Sequence, residues 1–157
     1  MKVIKGGITA AKGFKAASTA AGIKYQGRTD MAMVYSEKPC VAAGTFTSNV
    51  VKAACVQWDM NIVNTNKPLQ AVVVNSGIAN ACTGKEGLDA CEATAKGVEK
   101  VLGVPFDSVA VASTGVIGMQ LPVDTPICAT WLSYLPPPQT VSFPSFVSVT
   151  SSNTVLV

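Results

Sequence analysis

A chain of 157 residues, 48% hydrophobic and 13% charged, has the material for one well-buried domain and lies far from the composition of disordered proteins. Its net charge of +3 is small and its Lys and Arg residues are scattered, which excludes the basic stripe with interleaved aromatics of a nucleic-acid binder. It has no histidine, so Ser-His-Asp and Cys-His catalysis, histidine zinc sites and imidazole acid–base chemistry are all closed to it.

Taken in order, Met1 to Lys5 is short and basic, but Gly6-Gly7, Lys12 and Lys15 follow where a secretory signal needs an apolar stretch, and a cytoplasmic location is the expectation. Residues 6–24 are rich in Gly, Ala and Lys without sustained period and read as extended chain and loop laid on a core. Met31 to Tyr35 and Cys40 to Phe46 read as two strands joined by a turn at Ser36-Glu37-Lys38-Pro39. Val50 to Trp58 is a third apolar segment. After the loop Asn64 to Pro68, Leu69 to Val74 is the most continuous buried-strand signal in the chain.

Asn75 to Lys85 is a small-residue loop, and it lacks the Gly-x-x-x-x-Gly-Lys-Ser/Thr spacing of a phosphate loop, because Gly77 and Gly84 stand too far apart and Glu86 follows the lysine. Thr83 and Glu86 are in capping-box register for a helix on which Leu88, Cys91, Ala95, Val98 and Leu102 form one apolar stripe. Lys85, Glu86, Asp89, Glu92, Lys96, Glu99 and Lys100 lie mostly off that stripe as a solvated face. Gly103 closes the helix and Pro105 prevents its resumption. Strands, one helix and a returning strand predict an α/β (mixed α+β) domain with a mixed sheet and a flanking helix.

The strand that begins at Ser108 reaches Ser113-Thr114-Gly115-Val116-Ile117-Gly118 and is expected to turn sharply there. Glycine lets backbone approach a ligand closely, and a Thr hydroxyl beside a free N–H offers two donors for one oxygen. On spacing alone an ordinary turn between buried strands accounts for the same residues, since Ser-Thr-Gly is common in turns. With no histidine, an activated hydroxyl would need a lysine, a metal, or a chain-terminal Thr whose own amine serves as base. The five cysteines, Cys40, Cys55, Cys82, Cys91 and Cys128, form no Cys-x-x-Cys pair and read as reduced thiols.

Gly6 to Ala10, Lys12-Gly13-Phe14, Ala20 to Lys24, Ala42 to Thr47 and Lys52-Ala53-Ala54, followed by Val74 to Gly77, Ala79 to Gly84 and Ser113 to Gly118, come in the order found in one family. From Lys5 to about Asp124 the chain resembles the bifunctional ornithine acetyltransferases (glutamate N-acetyltransferases) of arginine biosynthesis. Ile78 stands where that family commonly has Asn. The resemblance implies the N-terminal part of the ornithine acetyltransferase fold and a cytoplasmic enzyme that moves an acetyl group from N-acetylornithine to glutamate, in bifunctional members also from acetyl-CoA. Transfer would run through an acetyl-enzyme on a threonine freed at the start of a second (β) chain by self-cleavage of the precursor. Thr114 and Gly115 match the pair that forms the oxyanion hole. No metal or bound cofactor is implied, acetyl-CoA entering only as a donor substrate, and neither nucleic acid nor membrane is an expected partner.

No charged residue follows Asp124, while Pro126, Pro136-Pro137-Pro138 and Pro144 sit among Ser and Thr. This composition switch divides residues 1–124, an incomplete α-chain-like domain, from an uncharged tail, 125–157, foreign to the family and expected to pack poorly. The proline triplet and the hydroxyls exclude a membrane span there. Ala129-Thr130 faintly resembles a cleavage junction, but it arrives early and lacks the lysine- and glycine-rich approach, so no credible nucleophile is expected in this chain. An altered end on an N-terminal half-enzyme is the expectation. The competing readings are an inactive fragment that acts only with a full-length partner, and a small-ligand-binding domain unrelated to acyl transfer.

Overall fold

The computed structural model describes residues 7–123, and the expectations for the first residues, the tail, Cys128 and Ala129-Thr130 lie outside the described residues. Alternating side chains build a sheet of β1 (Phe14–Thr19), β2 (Met31–Cys40), β3 (Leu69–Ile78) and β4 (Val109–Val116). The strands lie in the order β1-β2-β3-β4, antiparallel except that β3 and β4 run parallel. Helix α1 (Ala54–Asn64) connects β2 to β3, and α2 (Gly84–Leu102) is the crossover that a parallel pair requires. The expected mixed sheet with a flanking helix is present, with a second helix beside it.

Register explains the core. Met33 lies opposite Val73, and Val73 opposite Val111, so Met31, Met33, Ala71, Val73, Val109 and Val111 share one face of the sheet and are at most 3% exposed. Ala90, Ala95 and Val98 of α2 pack onto them. Burying each of the larger side chains contributes roughly 1.5–3 kcal/mol. Positions one residue out of phase, Val34, Val72, Val74 and Ala110, stay half-buried, so the other face is only partly covered. Among the described residues no helix is long and apolar enough to cross a membrane.

The helix stripe at Cys91, Ala95 and Val98 is buried, and Gly103 ends the helix in left-handed backbone with φ 69°. The capping box does not form. Thr83 donates its hydroxyl to Asn80 Oδ1 at 2.8 Å instead of turning it toward the first helical amides. Thr83 also takes φ −108° and ψ 0°, not the extended backbone from which a capping oxygen accepts the helical amides, and the buried Asn80 acceptor lies within reach of its hydroxyl.

Other expectations need correcting. Met31 to Tyr35 and Cys40 do not belong to separate strands, because β2 runs through the expected turn. Pro39 falls where pairing is interrupted between Tyr35 and Cys40, so its missing N–H removes no ladder bond, and the Ser36 hydroxyl closes the irregularity by donating to Lys38 O at 2.7 Å. Residues beyond Cys40 as far as Ala53 have no regular structure. The apolar run from Val50 is no single element. Val50 and Val51 are exposed, and α1 starts at Ala54 and continues through polar residues to Asn64. Within residues 6–24, Phe14–Thr19 is a paired edge strand. Asn75 to Ile78, expected as loop, is the end of β3, and the Ser113-Thr114-Gly115 step is not a turn but the paired end of β4.

Candidate functional site

The site is built where the two parallel strands end. Asn75 pairs with Ser113, Ser76 with Thr114 and Gly77 with Gly115. The buried Asn75 side chain fixes the first rung, accepting the Ser113 hydroxyl at 2.6 Å and donating to Ile78 O at 2.8 Å. Both glycines of the Gly77–Gly115 rung take positive φ, 112° at Gly77 and 133° at Gly115, which L side chains rarely adopt. A Cβ on Gly115 would collide with the carbonyl of Gly77, so only glycine permits this approach. Thr114 is left partly accessible on the less covered face, its hydroxyl without a partner among the described residues, and Gly115 is exposed.

Two loops brace this rung. In the first, Ala79 N–H donates to Val116 O at 2.9 Å and Gly118 N–H to Ala81 O at 2.8 Å. Between them sits Asn80, fully buried at φ 49°, a conformation Asn tolerates better than most residues. Its Nδ2 donates to Gly87 O (2.9 Å) and Cys91 Sγ (3.3 Å), and its backbone carbonyl accepts Ala54 N–H at 3.1 Å, which ties the starts of both helices to the site loop. The second brace is the β1–β2 connection. Asp30 accepts Ala21 N–H and Ile23 N–H, each at 2.7 Å, on its two carboxylate oxygens, and its own carbonyl accepts Ser76 N–H at 2.8 Å. That connection lays Lys24 Cβ 3.0 Å from where a Cβ of Gly77 would stand.

Beside the rung opens a cavity of about 780 Å³ whose walls are mainly apolar and include Phe46, Cys55, Asp59, Cys82, Thr114 and Gly115. Its single carboxyl among the described residues is Asp59, on α1, with Val111 N–H donating to Oδ1 at 3.0 Å. Burial pushes the Asp59 carboxyl up to about 7, the Val111 hydrogen bond opposing this only in part. Burial also raises the Cys55 thiol, with the Asp59 charge adding to it, and raises Cys91, so neither thiol is primed as a thiolate. Cys40, Cys55, Cys82 and Cys91 are free thiols.

The two residues singled out from sequence, Thr114 and Gly115, therefore stand side by side on the cavity wall, next to the loop at Ala79 to Cys82. Sequence reasoning missed Cys55, Trp58 and Asp59. They are one helical face at spacings of three and four, a signal visible only once Ala54 to Asn64 is recognised as a helix.

A profile of the ArgJ family matches residues 15–130. The arginine biosynthesis bifunctional protein ArgJ of Gloeobacter violaceus is 51% identical over 121 residues, 77% of this chain and 30% of that protein. The protein of the same name from Thermotoga neapolitana is 48% identical over 114 residues, 72% of this chain and 28% of that protein. Among solved structures, the ornithine acetyltransferase of Mycobacterium tuberculosis complexed with ornithine superposes with a TM-score of 0.75 at 46% identity, covering 82% of this chain and 68% of that one. The arginine biosynthesis bifunctional protein of Bacillus halodurans gives 0.74 at 40% identity over 81% of this chain and 65% of that one. The chain thus spans about 30% of the length of the curated relatives it matches. With the family profile spanning the paired glycine rung, and the relatives and superposed structures agreeing with it, the chain belongs to the ArgJ family.

Proposed function

We propose that this chain supplies the oxyanion-binding half of an acetyl-transfer site in arginine biosynthesis, passing an acetyl group from N-acetylornithine, and in a bifunctional enzyme from acetyl-CoA, to glutamate. The observation that carries it is the Gly77–Gly115 rung, which leaves the Thr114 hydroxyl unpartnered among the described residues, beside the exposed Gly115 on the wall of a cavity at the carboxyl ends of two parallel strands. Open α/β sheets bind ligands at that end. The ornithine held by the Mycobacterium tuberculosis relative supports an amino-acid substrate here.

In the proposed reaction a threonine freed at the start of a second chain attacks the acetyl carbonyl, its own amine taking the proton. The carbonyl oxygen becomes the oxyanion, which the Thr114 hydroxyl and Gly115 N–H bind. Ornithine leaves with a proton, and the acetyl-threonine ester passes its acetyl group to the glutamate amine through a second tetrahedral intermediate in the same donors. Two donors fixed in advance cost no reorganisation as charge develops. We assign residues 1–124 to this half-site, residues 125–157 to a tail outside it, and the assembly to the cytoplasm.

With no histidine and no assigned nucleophile, this chain by itself is expected to be inactive and to act only with a partner that supplies the second chain. Purified chain incubated with N-acetylornithine and glutamate should make no N-acetylglutamate and should keep its mass. Adding the second chain should restore turnover, and Thr114→Val should then lower it roughly a hundred- to a thousand-fold. Full turnover in Thr114→Val would end the oxyanion assignment. Turnover by the isolated chain with loss of the mass beyond Ala129 would show that Thr130 is a working nucleophile.

A further inference from the structure

Among the described residues β4 is the last strand of the sheet, so its outer edge should present unpaired amides and carbonyls. Part of that edge is instead met by α1, which lies along it. Trp58 Nε1–H donates to Val109 O at 2.8 Å, Val111 N–H donates to Asp59 Oδ1 at 3.0 Å, and the Cys55 sulfur lies near the Ser113 amide. The backbone groups recur every second residue, as outward-facing groups of a strand must. The side chains that meet them sit at spacings of three and four on one helix face.

The two periods match in length. Four residues of helix rise about 6 Å, and two residues of strand about 6.6 Å. Asp59 therefore meets Val111 while Cys55 meets Ser113, and α1 runs antiparallel to β4 with its N-terminus toward Gly115. One further step of the same alternation reaches the Gly115 amide. Its helical counterpart would be residue 51, and α1 begins only at Ala54, with no side-chain cap on its first turn. The side chains of α1 stop one step short of Gly115, and the positive end of the helix dipole lies at that gap.

We propose that Trp58 and Asp59 are positioning residues of the acyl site: they replace a fifth strand along β4, fix its register against β3, and leave the Gly115 amide open to a substrate oxygen. The proposal rests on the oxyanion reading of Thr114 and Gly115. The titratable groups facing Asp59 are Cys55 from its own helix and Cys91 from α2. From β4 it meets backbone, and among the described residues the cavity wall carries no Lys or Arg.

The test follows backbone amides of the full ¹⁵N-labelled chain by NMR from about pH 5 to about pH 9. Val111 should shift through one transition near neutrality, and Ser113 and Gly115 should follow with the same midpoint and smaller amplitude. All three should be flat in Asp59→Asn. A Val111 amide that does not titrate, a transition surviving in Asp59→Asn, or a flat Gly115 beside a titrating Val111 would each overturn the proposal. In a second measurement, with the second chain present, Trp58→Phe should lower kcat for acetyl transfer about tenfold or more while leaving KM nearly unchanged. A raised KM at unchanged kcat would make Trp58 a binding residue and overturn its positioning role. Failure of the oxyanion reading is separable, because it would show as full turnover in Thr114→Val whatever the amides do.

Discussion

The two edges of β4 are held by different chemistry. Along the inner edge the backbone of β3 makes a parallel ladder from Val109 to Val116 that any sequence able to keep the register could form. Along the outer edge Trp58 and Asp59 of α1 supply hydrogen bonds instead, and each depends on one residue type. The inner edge should therefore tolerate substitution wherever a side chain fits, and fail only at the glycine rung. The outer edge should fail residue by residue, and with pH.

The largest expected effect breaks the inner edge where it is least tolerant. Gly115→Ala must place a Cβ into the Gly77 carbonyl at φ 133°, and strain and overpacking together should cost roughly 5 kcal/mol, read as a lowered urea midpoint. A variant as stable as the parent would show that the rung can open without loss.

Next comes Asp59→Asn, which tests the outer edge through its charge. The native carboxyl holds its proton up to about 7, against 3.8 for an unburied Asp, so the folded state binds more protons than the unfolded one between those values. Stability therefore falls as pH rises from about 4 to about 7 and is level above. Asn keeps an acceptor for Val111 N–H without the charge. It should match the parent near pH 4 and exceed it near pH 8 by up to the order of 4 kcal/mol in thermal or urea melts. An equal offset at both pH values would mean that burial of the carboxylate is not what destabilises the parent.

Trp58→Phe should cost about 1 kcal/mol at all pH values, since the Val109 carbonyl loses its donor while most of the ring stays, packed against Phe106 at 6.4 Å between centroids. A pH-dependent loss would mean that Trp58 and Asp59 act as one unit. At the small end, Lys85→Ala removes an exposed pair with Asp89 on the solvated face of α2 and should leave the urea midpoint unchanged.

The same contrast explains what could be read from the sequence. The stripe of α2 and its stop at Gly103 were legible because both depend on local spacing and on a residue with one conformational use. Thr114 and Gly115 stood out because small residues end an apolar run there. The outer edge was not legible, because a bond such as Trp58 to Val109 spans 51 residues and leaves no periodic trace. Thr83 misled for a related reason: its local register offered a cap, but Asn80, buried by tertiary packing, took its hydroxyl. Pro39 suggested a turn because its harmlessness depends on where β2 is paired, which its neighbours in sequence do not reveal.

Gly77 has Lys24 against one side and Gly115 against the other, and the residue before it is bonded to the carbonyl of Asp30. In mechanical terms the β1–β2 connection and the acyl site share one degree of freedom. A load applied to Lys24 is transmitted through a single glycine to the strand end that carries Gly115. Slow motions of that connection should therefore share their rate with Gly115, and not with the far side of the sheet.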